Sequence, residues 1–199
     1  LGALKYYNQK TIPGYSVNAS EHSTMTILGR EGEMKQIARM LNEFAKPNAI
    51  VSMVLDGYDI FNAVKELGTT YKQQIIDSGA AAIVIRPDSG DPVAVNLQLL
   101  RDLEKHFGST KNAKGYSVIN HNVRLLQGDG IKEEAITQIL STAMIHGYSA
   151  DNFATFGCGG YLLQAMDRDT NKWAMKASYA VVNGQEIDVF KDPVTDSGK

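Results

Sequence analysis

Four short clusters in the 199-residue sequence stand out for the chemistry their residue types can do. They are Asp56-Gly57, Arg86-Pro87-Asp88-Ser89-Gly90-Asp91-Pro92, Gln127-Gly128-Asp129-Gly130 and Gly157-Cys158-Gly159-Gly160. The first three supply the carboxylates Asp56, Asp88 and Asp129. Carboxylates in such turns suit ribose hydroxyls, or Mg²⁺, which takes one or two carboxylates together with substrate phosphate oxygens. The fourth cluster is uncharged, and its glycines let backbone N–H groups approach an anion where a helix begins. Arg86 and Arg168 offer bidentate contacts to phosphate, with Lys176 and Lys191 as point charges. A sugar phosphate with a metal-bound diphosphate satisfies the whole set. Each turn alone is ordinary, since Asp-Gly after a strand usually only reverses the chain. Their common relation to the flanking elements is what argues for a site.

A fifth candidate is Ser20-Glu21-His22-Ser23-Thr24. Histidine titrates near neutrality and can serve as base, acid or phosphoryl acceptor. The residues alone favour a plainer reading, with Ser20 or Ser23 capping a helix and His22 a solvated first-turn residue. His106 and His146 fall at helix ends, where an imidazolium complements the dipole, and His121 sits in an Asn-rich loop. These scattered histidines form no Cys/His metal cluster. Cys158 has no evident base and reads as a small filler rather than a nucleophile. Trp173, Tyr6 and Tyr7 read as packing residues.

The elements that must position these groups alternate regularly. Residues 49–55 (AIVSMVL) read as a buried strand, followed by helices over about 59–67 and 71–78. Residues 81–85 form the next strand and 92–107 the next helix, with Val93, Leu97, Leu100 and Leu103 as its apolar stripe and Pro92 in its first turn. A short strand at 123–126 precedes a helix at 132–145, closed by His146-Gly147. A strand at 152–156 leads to a short helix at 160–166, and segments 173–182 and 186–190 flank the hairpin signal Asn183-Gly184. Earlier, Gly29 to Gly32 separates a less regular region from a helix over about 33–44. Repeated strand–helix units imply a parallel sheet with helical crossovers, either a (β/α) barrel or an open doubly wound sheet. In both, the C-terminal strand ends share one rim, so the four clusters converge there.

Composition bounds the function. The 20 basic and 22 acidic residues give a formal net charge of −2, with no electrostatic footprint for nucleic acid. No run approaches the ~18 apolar residues of a membrane span. A single cysteine excludes an intrachain disulfide and fits a cytoplasmic setting. The chain reads as one α/β catalytic domain over residues 1–199, and its first residue, Leu1, suggests a piece cut at both ends.

Several blocks, taken in order, carry a resemblance. Pro13-Gly14-Tyr15-Ser16-Val17, Ser20-Glu21-His22-Ser23-Thr24, Asp56-Gly57-Tyr58-Asp59-Ile60, Ile85-Arg86-Pro87-Asp88-Ser89-Gly90, Gln127-Gly128-Asp129-Gly130 and Val189-Phe190-Lys191-Asp192-Pro193 resemble the type II phosphoribosyltransferase family that acts on nicotinamide and nicotinate. The resemblance implies part of an irregular (β/α) barrel, working as a homodimer with active sites at the subunit interface. It implies transfer of 5-phosphoribosyl from 5-phosphoribosyl 1-diphosphate to nicotinamide with Mg²⁺, coupled to ATP through a phosphohistidine at His22. Asp88 joins His22 as a catalytic residue, and Asp56 and Asp88 are the metal-side carboxylates. Ser16, Asp56, Arg86, Gly128, Asp129, Gly159, Gly160, Arg168, Lys176 and Lys191 make up the implied substrate-binding set. Cys158 stands where the family often has Ser, Tyr161 where it has a further Gly, and Ala174 where a hydroxyl residue can occur. The pyridine-stacking aromatic, an amide-selecting Asp and the partner-subunit aromatic and arginine lie upstream of the matched segment. A nicotinate-using relative and a non-catalytic sugar-phosphate-binding fragment are the alternatives.

Overall fold

A computed structural model of the chain describes residues 2–10, 16–159 and 172–196. After the short helix α1 (Gly2–Tyr6) come β1 (Asn18–Ala19), the one-turn helix α2 (His22–Met25), α3 (Gly29–Phe44) and β2 (Ile50–Val54). Then follow α4 (Ile60–Gly68), α5 (Lys72–Asp77), β3 (Ala82–Arg86) and α6 (Pro92–Phe107). A small hairpin, β4 (Ser109–Lys111) and β5 (Ser117–Ile119), precedes β6 (Val123–Gln127), α7 (Glu133–Ile145) and β7 (Phe153–Phe156). A second hairpin, β8 (Tyr179–Val182) and β9 (Gln185–Asp188), lies near the C-terminus.

The main sheet runs β1-β2-β3-β6-β7, every neighbouring pair parallel. Its central strands read Ile-Val-Ser-Met-Val and Ala-Ile-Val-Ile-Arg, near-continuous apolar runs suited to burial on both faces. They pair with Val51 opposite Ile83 and Met53 opposite Ile85, all four fully buried. Each new strand of the main sheet adds on the same side, without the reversal that marks a doubly wound sheet. This is the order of strands along a barrel wall.

The helices are started and stopped by local chemistry. Asp91 caps α6 by accepting the Ala94 N–H at 2.7 Å, and Pro92 supplies a fixed φ at the first helical position. Asp59 caps α4 through the N–H groups of Phe61 and Asn62. The buried faces of α4 and α6 contribute Val64, Leu67, Leu99, Leu100 and Leu103 to one core with the strands. These two helices approach so closely that a Cβ on Gly68 would lie 2.3 Å from His106 Cβ. At the end of α7, Gly147 takes φ +83, the left-handed stop expected of it.

Four expectations need correction. First, α3 begins at Gly29, which enters it with φ +68, so only Gly32 lies inside the helix. Its cost, roughly 1 kcal/mol, is outweighed by a buried face of Ile37, Met40 and Leu41. Second, the hairpin forms around Asn183 (φ +54) and Gly184 (φ +78), but its first strand starts at Tyr179; Trp173 and Met175 are exposed and unpaired in strand terms. Third, Ser20 is no helix cap, because its hydroxyl accepts the Val54 N–H at 3.1 Å; Glu21 is the N-cap of α2. Fourth, His22 is not solvated, its side chain being only 15% exposed. The helix expected at 160–166 lies outside the described residues.

Candidate active site

The C-terminal ends of β2, β3, β6 and β7 deliver the four clusters to one rim, and α2 sits beside them. Because β1 pairs with β2 through Asn18–Val51 and Ala19–Ser52, the chain after β1 emerges next to the end of β2. His22, first residue of α2, thereby meets Asp56, two residues beyond β2. His22 Nε2 lies 2.9 Å from Asp56 Oδ1, and Nδ1 lies 3.9 Å from Asp88 Oδ2.

Asp56 is 1% exposed, and its second oxygen accepts the Asp88 backbone N–H at 3.1 Å. Burial pushes its pKa up, but hydrogen bonds from His22, Ser89 and the Asp88 N–H, with the charge of His22, more than offset this, so the carboxyl sits below the usual aspartate value. An ionised carboxylate only accepts, so His22 Nε2 carries the proton it donates. In the neutral ring this leaves the Nδ1 lone pair free on the Asp88 side. The pair orients the imidazole as the buried Asp orients the base in a catalytic triad.

Around His22 opens a cavity of about 710 Å³, whose walls include Glu21, Arg86, Asp88, Lys176 and Lys191. The Arg86 guanidinium meets the exposed Glu21 carboxylate at 3.1 and 3.4 Å, while its Nε is buried without a partner. Lys191 Nζ donates to Ser89 Oγ at 2.7 Å. A second, shallower cavity of about 370 Å³ shares Arg86 and Asp88 and continues past Gly128, Gly157, Cys158 and Gly159. The two glycine turns meet there: Gly157 N–H donates to the Gln127 carbonyl at 2.8 Å, and a Cβ on Gly157 would lie 3.1 Å from Gly128 Cα. Beneath them, Asn96 Nδ2 donates to Gln127 Oε1 at 2.7 Å, and Gln127 Nε2 reaches the Asp129 carbonyl at 3.4 Å.

The structure thus brings His22, Asp56, Arg86, Asp88, Lys176 and Lys191 together, with Gly128 and Gly159 in the adjoining cavity. Ser16 is elsewhere, beside Asn48 and Ile50 where β2 begins. Gly160 and Arg168 lie outside the described residues. As a Mg²⁺ ligand Asp88 is the better fitted carboxylate, since its side chain is 28% exposed while both Asp56 oxygens are engaged. Among the described residues no three His, Cys, Asp or Glu side chains form a complete protein metal cage.

One buried acid escaped the sequence reading. Glu33 on α3 is 5% exposed and lies behind Gly57. Burial pushes its pKa up to about 7, opposed by Arg30 and reinforced by Asp59 and Asp56. It stands in the charged run Gly-Arg-Glu-Gly-Glu, where residue types alone give no sign of burial.

The sequence model of the nicotinate phosphoribosyltransferase (NAPRTase) family matches residues 5–199. The chain belongs to that family. It is 53% identical to a protein named nicotinamide phosphoribosyltransferase from Xanthomonas campestris pv. campestris (strain 8004), over 94% of this chain and 40% of the relative. It is 36% identical to the protein of that name from Acinetobacter baylyi, over 98% of this chain and 42% of the relative. A third, from Mycoplasma pneumoniae, is 33% identical over 92% of this chain and 43% of its own length. The chain therefore spans about two fifths of the curated relatives it matches. Among the described residues, no helix of this NAPRTase-family chain is long and apolar enough to cross a membrane.

Proposed function

We propose that this chain carries the phosphate- and ribose-binding half of a nicotinamide phosphoribosyltransferase. The observation that carries the reading is the His22–Asp56 pair opening onto a cavity ringed by Arg86, Asp88, Lys176 and Lys191. In the proposed reaction the pyridine nitrogen of nicotinamide attacks the anomeric carbon of 5-phosphoribosyl 1-diphosphate. The bond to diphosphate breaks, giving nicotinamide mononucleotide and free diphosphate. The anomeric carbon is oxocarbenium-like as the leaving group departs, so catalysis is largely positioning and charge neutralisation. Arg86, Lys176 and Lys191 hold the anionic groups, while the Gly128 and Gly159 turns admit ribose and phosphate close to the backbone. When bound, Mg²⁺ neutralises the diphosphate, and Asp88 is the residue to hold it.

ATP coupling belongs to the same proposal. His22 Nδ1 attacks the γ-phosphorus of ATP, a P–N bond forms, the P–O bond breaks and ADP leaves. Asp56 keeps the proton on Nε2 throughout and stabilises charge on the ring. Water later cleaves the phosphohistidine. A homodimer with interface sites and a cytoplasmic location complete the reading. In the full-length protein, His22→Ala is expected to abolish ATP stimulation and leave some basal transfer; undiminished ATP stimulation would contradict the assignment.

Nicotinate is the second reading, favoured by the family description, whereas the names of the relatives favour the amide. Competition between nicotinamide and nicotinate in the full-length enzyme separates them.

A further inference from the structure

Residues 189–195 form a strap that leaves β9 and crosses the loops after β2 and β3. Its backbone is stitched to the first loop: Asp192 N–H donates to the Gly57 carbonyl at 2.8 Å, and Val194 N–H to the Tyr58 carbonyl at 2.9 Å. It rests on the second loop at Gly90, where a Cβ would lie 2.9 Å from Thr195 Cβ and where φ is +82. Between β9 and these anchors, Val189, Phe190 and Lys191 form one wall of the main cavity, which Glu21, His22 and Ser23 also line. The position of Lys191 Nζ, 2.7 Å from Ser89 Oγ, follows from where this strap lies.

Arg30, in the first turn of α3, ties the strap to that helix. Its guanidinium donates to the Asp192 carboxylate at 2.6 Å and to the Asp192 carbonyl at 3.2 Å. The same group lies 4.9 Å over the Tyr58 ring. One guanidinium thereby joins α3, the Gly57-Tyr58 loop and the residue next to Lys191. Arg30 is not among the residues lining the cavity.

We propose that Arg30 is a positioning residue for the anionic substrate: by bridging Asp192 and Tyr58 it fixes the strap that carries Lys191 into the cavity. The proposal rests on the phosphoribosyl-transfer reading for the identity of the anion, and on the strap geometry for the role of Arg30. Arg30 and Asp192 are both more than half exposed, so as a stability element the pair is minor. Its effect lies in the placement of the neighbouring lysine. Stacking of the planar guanidinium on Tyr58 while one of its nitrogens meets Asp192 distinguishes arginine from lysine at this site, so charge alone does not substitute for it.

The test is a double-mutant cycle in the full-length protein, with Arg30→Ala, Lys191→Ala and the combination. Arg30→Ala is expected to raise the KM for 5-phosphoribosyl 1-diphosphate about fivefold, with kcat and the KM for nicotinamide within about twofold. In the Lys191→Ala background, the Arg30 change is expected to add almost nothing. Asp192→Ala is expected to reproduce the Arg30→Ala effect, and Arg30→Lys to recover only part of it. Amide hydrogen exchange at Asp192 and Val194 reads the strap directly and is expected to quicken in Arg30→Ala whether or not substrate is present. An unchanged KM, full additivity with Lys191→Ala, or unchanged strap exchange would overturn the proposal. Calorimetric binding of inorganic diphosphate keeps the two claims apart. A wild-type protein that binds diphosphate more tightly than Arg30→Ala yet makes no nucleotide contradicts the reaction and supports the latch. Equal diphosphate affinity contradicts the latch alone.

Discussion

At the C-terminal ends of the strands, Arg86, Asp88, Lys176 and Lys191 surround a cavity of about 710 Å³; at the opposite end, near the starts of β6 and β7, Asn112, Lys114, Tyr148, Ser149 and Asp151 line another of about 540 Å³. Both include polar side chains, and both gather residues distant in sequence. In the second, however, the polar groups are largely committed to one another. Ser149 Oγ accepts from Asn112 Nδ2 at 3.3 Å and donates to Asp151 Oδ2 at 2.9 Å. Next in the chain, buried Asn152 accepts the Ile119 N–H at 2.8 Å through Oδ1 and donates through Nδ2 to the carbonyls of Ser117 and Ser149, each at 3.0 Å. Tyr148 donates to Glu104 at 2.8 Å; burial, with this hydrogen bond, pushes the phenol up to about 12. At the rim, by contrast, the His22 ring presents Nδ1 toward a half-open Asp88. Polarity alone does not distinguish a site from a structural joint. Hydrogen-bonding capacity left facing a cavity does.

The largest expected effect falls at the rim. Asp56→Asn in the full-length protein keeps the shape of the side chain but allows the wrong imidazole tautomer, so ATP-coupled turnover is expected to fall on the order of 100-fold or more. Retained coupling in a folded variant would break the contrast between the two ends. Next is Glu33, whose folded pKa of about 7 stands above its ordinary 4.5. The native state binds that proton more tightly than the unfolded chain does. Its stabilising contribution is therefore complete below pH 4.5, declines as pH rises, and is gone above about 7. Glu33→Gln is expected to stabilise the fold at pH 8 relative to wild type, by up to about 3 kcal/mol, and to make little difference below pH 4.5. Urea denaturation at the two pH values checks this. Asp56 behaves oppositely: its lowered pKa contributes stability above the ordinary value, lost as pH falls through the folded one.

At the other end of the sheet, Asn152→Ala strands a buried backbone N–H and is expected to cost about 2–3 kcal/mol in chemical denaturation, with the KM for 5-phosphoribosyl 1-diphosphate unchanged. A raised KM there would mean that the two ends are not separable. The smallest effect belongs to Arg39→Ala, which removes an exposed i,i+4 pair with Glu43 at 2.9 Å; about 0.5 kcal/mol or less is expected, in stability alone.

The rim was legible because its signals are local. Apolar strands followed at once by Asp, Gly and Arg can be read without knowing what packs where, and Asn183-Gly184 and Gly147 announce their own backbone conformations. What stayed hidden depends on distance in sequence or on weak patterning. The His22–Asp56 contact spans 34 residues, and no property of either segment alone reveals it. β4 is Ser-Thr-Lys, exposed throughout, and offers no hydrophobic alternation. β1 has two residues and exists through its pairing with β2. Arg30 and Glu33 sit in a charged stretch whose glycines suggested a break, and only the packed helix gives them separate roles. Residues 173–178 looked strand-like by composition, yet Met175 to Ser178 instead line the main cavity.

The most direct test is amide hydrogen exchange of the full-length protein with and without 5-phosphoribosyl 1-diphosphate and Mg²⁺. Protection is expected in Glu21 to Met25, Asp88 to Gly90 and Gly128 to Gly130, with the β4–β5 hairpin unchanged. Protection centred on that hairpin, or none at the rim under conditions where the ligand binds, would contradict the assignment of the C-terminal strand ends as the site.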